Sequence, residues 1–136
     1  MGPDEYRVKL DDKVRNFSVS LMNNTKWHEV LYLIAQTNVE IRFSTVWEER
    51  FSRPQEVKSP IFHEEYLGDG CLVGGPIFYK EIRELRIARF QQLRDSRTGA
   101  MYKDESCSQH LLNSLEKLGQ LPLTIGDDEI ILCAYA

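Results

Sequence analysis

The segment VEIRFSTVW, residues 39–47, constrains the fold more than any other part of this chain. Apolar or β-branched residues occupy every second position, ending at Trp47, and polar residues fill most positions between them. Because successive side chains of a strand point to opposite faces, this pattern predicts a half-buried β-strand with Trp47 on its apolar face. The segment IFYKEIRELRIARF, residues 77–90, predicts a second strand region, with Leu85 and Ile87 sharing one face.

Apolar residues spaced three and four apart predict helices that can cover such a sheet. The predicted helical segments are residues 12–22, 24–36 and 106–119. In the second of them, Asn24 or Thr25 is placed to cap the first turn. In the third, Ser106 and Gln109 have the spacing of a capping box, and Gly119 follows as a stop signal.

The C-terminal segment LPLTIGDDEIILCAYA predicts two strands joined at a Gly-Asp-Asp turn. The last strand, from Ile130 to Tyr135, is apolar on both faces, which is typical of a strand inside a sheet. The whole chain, residues 1–136, is therefore predicted to be one α+β domain: an antiparallel or mixed β-sheet with two or three helices packed on one face. Residues 1–11 are predicted to be a flexible arm, and residues 91–105 a polar connection.

With 136 residues, of which 42% are apolar and 28% charged, the chain has the composition of a single globular domain. No apolar stretch is long enough for a membrane span, and the first residues lack the apolar region of a signal peptide. Cys71, Cys107 and Cys133 are odd in number and lack CxxC spacing, which argues against a disulfide framework. These features predict a cytoplasmic location without a membrane partner.

Neither a catalytic site nor a metal site is predicted. His28, His63 and His110 are far apart and lack metal-ligand spacing. Cys71 in a glycine-rich turn, and Cys107 three residues before His110, come nearest to the thiol and base of a cysteine enzyme. The segment GDGCLVGG has glycines but lacks the remaining residues of a phosphate-binding loop. The sequence therefore predicts a protein that is not an enzyme and uses no cofactor.

Basic residues concentrate in one segment of a chain whose net charge is −4. Residues 80–97 contain six basic and three acidic residues, so Arg83, Arg86 and Arg89 could line a surface for RNA or a nucleotide. An acidic protein is a poor general binder of nucleic acid. Nucleic-acid binding is therefore the alternative prediction.

Acidic clusters flanked by aromatic residues predict a binding surface for a basic partner. Carboxylates accelerate association with cationic surfaces, and aromatic side chains fill pockets at protein interfaces. The residues predicted to bind this partner are Trp47, Glu48, Glu49, Phe51, Glu64, Glu65, Tyr66, Asp69, Asp127, Asp128 and Glu129.

The segments SLMNNTKWHEVL, YKEIRELRI and DDEIILCAY resemble those of a family of small, uncharacterised bacterial proteins with an LMNxTKW helix start. The resemblance extends over residues 13–136 but not through residues 48–76, and the second strand lacks the family's tryptophan. It implies a shared fold and carries no catalytic residues. In type, as a small, acidic, single-domain cytosolic protein, the chain is similar to the immunity proteins of contact-dependent inhibition and other polymorphic toxin systems.

These features together predict a non-catalytic protein-binding domain, most concretely an immunity protein. Such a protein would neutralise a cognate bacterial toxin domain, basic and nuclease-like, by occluding its active-site groove. A homodimer is also possible, because the last strand, Trp27 and Trp47 could pack either in the core or at an interface between two subunits.

Overall fold

An antiparallel five-stranded sheet, covered on one face by helices, is the centre of the computed structural model, which describes residues 2–58 and 62–136. The helices are α1 (Pro3–Val14), α2 (Asn24–Gln36) and α3 (Ser106–Glu116). The strands are β1 (Glu40–Thr45), β2 (Gln55–Glu56), β3 (Tyr66–Leu67), β4 (Ile77–Phe78), β5 (Ile82–Ala88), β6 (Gln91–Arg94), β7 (Met101–Asp104), β8 (Leu123–Ile125) and β9 (Glu129–Cys133). The sheet has the order β2-β1-β5-β9-β8, and β3-β4 and β6-β7 form separate antiparallel pairs. The predicted α+β fold is confirmed.

Two rows of apolar side chains cross the central strands on the core side of the sheet. The first row joins Ile41, Ile87 and Ile130, all of them buried. The second row, two residues along each strand, consists of Phe43, Leu85 and Leu132. β9 lies between β5 and β8, so the apolar last strand is inside the sheet, as its composition predicts.

The helix α2 buries one stripe of its surface against this core. Its buried residues are Trp27, Val30, Leu31 and Ile34. The helix begins one residue earlier than the capping prediction, because Asn23 rather than Asn24 or Thr25 is the N-cap. The Oδ1 atom of Asn23 accepts a hydrogen bond of 2.8 Å from the backbone N–H of Lys26.

The helix α3 buries Leu111 and Leu115 against the same core. The capping box predicted for its first turn is wrong, because the Ser106 hydroxyl donates to the Asp104 carboxylate at 2.6 Å instead. Gly119, just beyond the helix, has a φ of +101°, a conformation that glycine adopts without strain.

The N-terminal predictions need correction. The arm predicted over residues 1–11 is helical from Pro3 onward, and Met1 lies outside the described residues. The helix α1 begins at Pro3 with Asp4 and Glu5 in its first turn, both favourable at a helix N-terminus. The helix predicted over residues 12–22 does not form, since α1 ends at Val14. Instead, the backbone N–H groups at positions 18, 19 and 21 donate to carbonyls of the C-terminal residues.

The end of β1 also differs from its alternation pattern. The strand stops at Thr45, where its register with β5 shifts by one residue and the chain turns. The Val46 N–H then donates to the carbonyl of Glu81 at 2.9 Å. Trp47 therefore lies in a turn and is 40% exposed, and its predicted place on the apolar face of the strand is wrong.

Two predicted segments are more structured than their sequences indicate. The strand region 77–90 is divided by a 3₁₀ turn, Tyr79–Glu81, which separates β4 from β5. Residues 91–105, predicted to be a polar connection, contain the β6-β7 pair. The side chains of this pair are largely exposed on both faces. Its sequence therefore lacks the alternation of apolar and polar residues that marks a half-buried strand.

Two tyrosines, the buried Tyr79 and the half-buried Tyr135, limit the stability of this fold at high pH. Burial raises the pKa of both Tyr79 and Tyr135 to about 12 from 10.0. Phenols that ionise less readily in the folded state stabilise it fully below pH 10.0, and this contribution is lost as the pH rises to about 12. We expect the free energy of unfolding in urea to fall across this range. The unfolding free energy of Tyr135→Phe should fall less steeply with pH than that of wild type. That of the exposed control Tyr102→Phe should fall as steeply as wild type. Parallel curves for all three proteins would contradict the assignment.

Candidate partner-binding groove

Four aromatic side chains from four separate segments form a contiguous cluster at one end of the sheet. Tyr6 of α1 packs on Trp47 and Phe78, with ring centroids 5.7 and 6.0 Å apart. Tyr66 of β3 packs edge-on against Phe78 at a centroid distance of 5.8 Å. These separations are those at which aromatic rings attract one another. Because Trp47 is 40% exposed, the cluster reaches the surface.

The carboxylate of Glu81 lies beside this cluster and is buried, with 6% of the residue exposed. Its Oε1 accepts a hydrogen bond of 2.9 Å from Trp47 Nε1, and its Oε2 accepts one of 2.7 Å from the backbone N–H of Phe78. Burial raises the pKa of Glu81, and the Phe78 hydrogen bond partly opposes that effect. Within residues 2–58 and 62–136, no basic side chain forms an ion pair with it.

An acidic rim continues from the aromatic cluster towards the N-terminus of α2. The guanidinium of Arg7 lies 5.3 Å from the ring centroid of Phe78 and pairs with Glu65 at 3.3 Å. Beyond Glu65, the surface hollow is lined by Glu64 and Glu29. We call the whole surface the aromatic–acidic groove, defined by Tyr6, Arg7, Glu29, Trp47, Glu64, Glu65, Tyr66, Phe78 and Glu81.

Some of the residues predicted to bind a partner converge in this groove. They are Trp47, Glu64, Glu65 and Tyr66. Glu48 and Glu49 follow Trp47 along the chain and are exposed, and Glu48 is 3.8 Å from Arg50. Asp69 is exposed in the loop after β3.

Asp127 and Asp128 lie at the other end of the sheet. The register places their turn, between β8 and β9, next to the Ala88 end of β5, whereas Trp47 follows the end of β1 that pairs with Ile82. These ends are about 20 Å apart, because six residue steps separate Ile82 from Ala88 along β5. The predicted acidic residues therefore form two separate surfaces rather than one.

Glu129 and Phe51, also predicted to bind a partner, belong to a network on the solvated face of the sheet. Arg42 donates two hydrogen bonds of 2.8 Å to the Glu129 carboxylate, and they lower the pKa of Glu129. The guanidiniums of Arg42 and Arg86 lie 5.2 and 4.4 Å from the ring centroid of Phe51. These contacts give both residues a structural role within the chain.

The three arginines of the nucleic-acid prediction contact other parts of the chain. Arg83 lies over an aromatic ring, 5.4 Å from its centroid. Arg86 pairs with Glu84 at 3.2 Å, and Arg89 donates to the carbonyl of Gly126 at 2.7 Å. Each of the three guanidiniums therefore has an intramolecular partner, and binding of nucleic acid through them stays a prediction.

The two cysteines singled out as candidate nucleophiles, Cys71 and Cys107, lie in or against the core. Cys71, expected in an exposed turn, is only 1% exposed. Cys107 packs against the core while His110 is exposed, and burial raises the pKa of the Cys133 thiol. In the part of the chain that the structure describes, no three His, Cys, Asp or Glu side chains are grouped as metal ligands.

Comparison with protein-family models, curated proteins and solved structures finds no match to this chain. Among the described residues, no helix combines the length and apolar character needed to cross a membrane. The functional argument therefore rests on the geometry and charge of the aromatic–acidic groove.

Sequence patterns did not identify five of the groove residues as parts of the site: Tyr6, Arg7, Glu29, Phe78 and Glu81. Tyr6 and Arg7 lie in the segment predicted to be an arm, and Glu81 is interleaved with the basic residues of the second strand region. The sequence did not distinguish Glu81, because Lys80 and Arg83 beside it are also charged and the burial of the Glu81 carboxylate is evident only in the structure.

The ion pair between Arg42 and Glu129 should contribute measurably to stability. Glu129→Gln removes a bidentate, charge-assisted interaction that is partly exposed, so we expect a loss of about 1 kcal/mol in unfolding free energy at neutral pH. Because the pKa of Glu129 is lowered in the folded state, its carboxylate stabilises the fold when the pH is above the ordinary carboxyl pKa. This stabilisation is lost as the pH falls through the lowered pKa. The difference between wild type and Glu129→Gln should therefore shrink in acid.

The matched control is Asp127→Asn, which removes an exposed carboxylate from the neighbouring turn. Urea unfolding of Asp127→Asn should resemble that of wild type at neutral pH. Equal destabilisation by the two substitutions would show that general charge, rather than the Arg42 contact, determines the stability of this region.

Proposed function

We propose that this protein is a non-catalytic binding domain whose aromatic–acidic groove holds a basic segment of a partner protein. One observation carries the proposal: chain segments far apart in sequence bring aromatic rings and carboxylates to one surface. Tyr6 and Trp47, for example, are 41 positions apart and share a hydrogen bond of 3.2 Å. Aromatic rings beside carboxylates suit a partner whose side chains combine positive charge with apolar stems.

The aromatic and acidic residues have different parts in this binding. The rings of Trp47 and Tyr66 are large and conformationally restricted, so they provide contact area at low entropic cost. Glu49 and Glu64 are exposed, and no ion pair within the described residues neutralises them. Their field attracts cationic surfaces and raises the rate of productive encounters, an effect that salt screens.

In its most concrete form, the proposal is that the protein is a bacterial immunity protein acting in the cytoplasm. Its partner would be a cognate toxin domain with a cationic, nuclease-like groove, because enzymes that act on nucleic acid carry basic residues to meet phosphates. An acidic surface seated in that groove excludes the substrate without chemistry. The acidic net charge, the groove itself and the similarity in type to immunity proteins support this form.

Charge reversal in the groove should slow association with the partner. The test captures interacting proteins at low and moderate salt, identifies the basic partner and measures its association rate with two double variants. Glu64→Lys alters the groove and Glu49→Lys alters the exposed acidic turn that follows Trp47, and we expect an association rate at least about tenfold lower at low salt, with the difference shrinking as salt rises.

The matched control is Asp127→Lys with Asp128→Lys, which changes the net charge equally at the other end of the sheet. Its association rate should stay within about threefold of wild type, because only general attraction is altered. Equal slowing by both double variants would contradict a defined binding groove. A captured partner that binds the groove variant as fast as wild type would refute the proposed surface.

A further inference from the structure

A cavity of about 330 Å³ opens beside the buried carboxylate of Glu81. It is lined by Tyr6, Arg7, Tyr66, Pro76, Ile77, Phe78 and Glu81. Three of these residues are aromatic and two are aliphatic; the other two are Glu81, which is buried, and Arg7, which pairs with Glu65. This combination of apolar walls with few polar groups is the usual composition of a ligand pocket, and the volume suits a small group such as one side chain.

Among the described residues, no cation forms an ion pair with the Glu81 carboxylate that lines this cavity, because Arg7, the basic residue of the lining, pairs with Glu65. Both hydrogen bonds to the Glu81 carboxylate come from neutral donors, the indole of Trp47 and the backbone N–H of Phe78. A carboxylate has about four acceptor sites, so two donors leave capacity for another. A buried acid in this state is stabilised by a cation that reaches it.

The chain itself shows that the adjoining surface accepts such a cation. The guanidinium of Arg7 lies over the ring of Phe78, 5.3 Å from its centroid, and pairs with Glu65 at 3.3 Å. Aromatic faces attract cations through their quadrupole, and a carboxylate adds direct charge attraction. Phe78 and Glu81, which both line the cavity, offer the same combination of an aromatic face and a carboxylate.

We propose that this cavity is a cation subsite, which takes the ammonium or guanidinium end of a lysine or arginine side chain from the partner. The cation meets the Glu81 carboxylate, while the stem of the side chain lies between Tyr6, Tyr66 and Phe78. The proposal deepens the proposed function and rests on it, since it names the group of the basic partner that enters the groove. The pocket therefore distinguishes cationic side chains from neutral ones of equal length.

The Trp47 indole N–H is a direct reporter for this subsite, because it donates to Glu81. The chain has two tryptophans, so the indole resonance of Trp47 can be assigned by comparison with Trp47→Phe. The experiment titrates the full chain with Nα-acetyl-lysine methylamide, with the arginine equivalent and with the neutral norleucine equivalent. We expect saturable shifts with both cationic probes and an affinity for norleucine at least about tenfold lower.

Glu81→Gln keeps the shape of the side chain and removes its charge, and should lower the affinity for the cationic probes at least about tenfold. Its matched control is Glu84→Gln, on the same segment but paired with Arg86 outside the cavity, which should bind the probes as wild type does. If Glu81→Gln fails to fold, the comparison of lysine with norleucine on the wild-type chain decides the question alone.

Three results would overturn the subsite: no saturable shift with either cation, equal affinity for norleucine, or unchanged cation affinity in a folded Glu81→Gln variant. Failure of this inference is separable from failure of the proposed function. A partner whose association depends on Glu49 and Glu64, together with probes that do not bind, would retain the groove and remove the subsite. If the probes bind but no basic partner is captured, the cation subsite would be retained and the proposed function would not.

Discussion

The carboxylate of Glu81 joins the segments from which the groove is built. Its two oxygens bind the indole of Trp47, beyond β1, and the backbone N–H of Phe78, at the start of the 3₁₀ turn. The Glu81 carbonyl also accepts from Val46. A buried carboxylate requires hydrogen-bond donors, so the position of this one fixes the loop after β1 and the turn before β5 together. The aromatic cluster depends on that arrangement.

One wall of the groove is held more weakly than the others. α2 buries four residues and α3 buries three, whereas Leu10 is the one buried side chain described in α1. α1 is attached mainly through the Tyr6 ring contacts and the exposed pairs of Arg7 with Glu65 and Asp11 with Lys80. Exposed ion pairs contribute little to stability. The wall that α1 forms is thus the helix with the least apolar attachment, as is common for segments that adjust to a partner.

Periodicity predicted the parts of the fold in which one face is buried and the other is solvated. The strand around Leu85, the helix ending at Gln36 and the apolar last strand all follow from that rule. The same rule fails where burial is not periodic: in α1, in the exposed β6-β7 pair and at Trp47. The groove was only half predictable for a related reason, since composition located some of its acidic and aromatic residues but not the long-range contact between Tyr6, Trp47 and Glu81.

The central claim is that the aromatic–acidic groove is the surface on which a basic partner binds. The most direct test maps backbone amide shifts of the labelled chain during titration with a short peptide rich in lysine and arginine. The account predicts saturable shifts centred on Arg7, Glu65 and Phe78, with the Asp127–Asp128 turn unaffected. Shifts centred on that turn or on the Arg42–Glu129 network, or small shifts spread evenly over the surface without saturation, would contradict it.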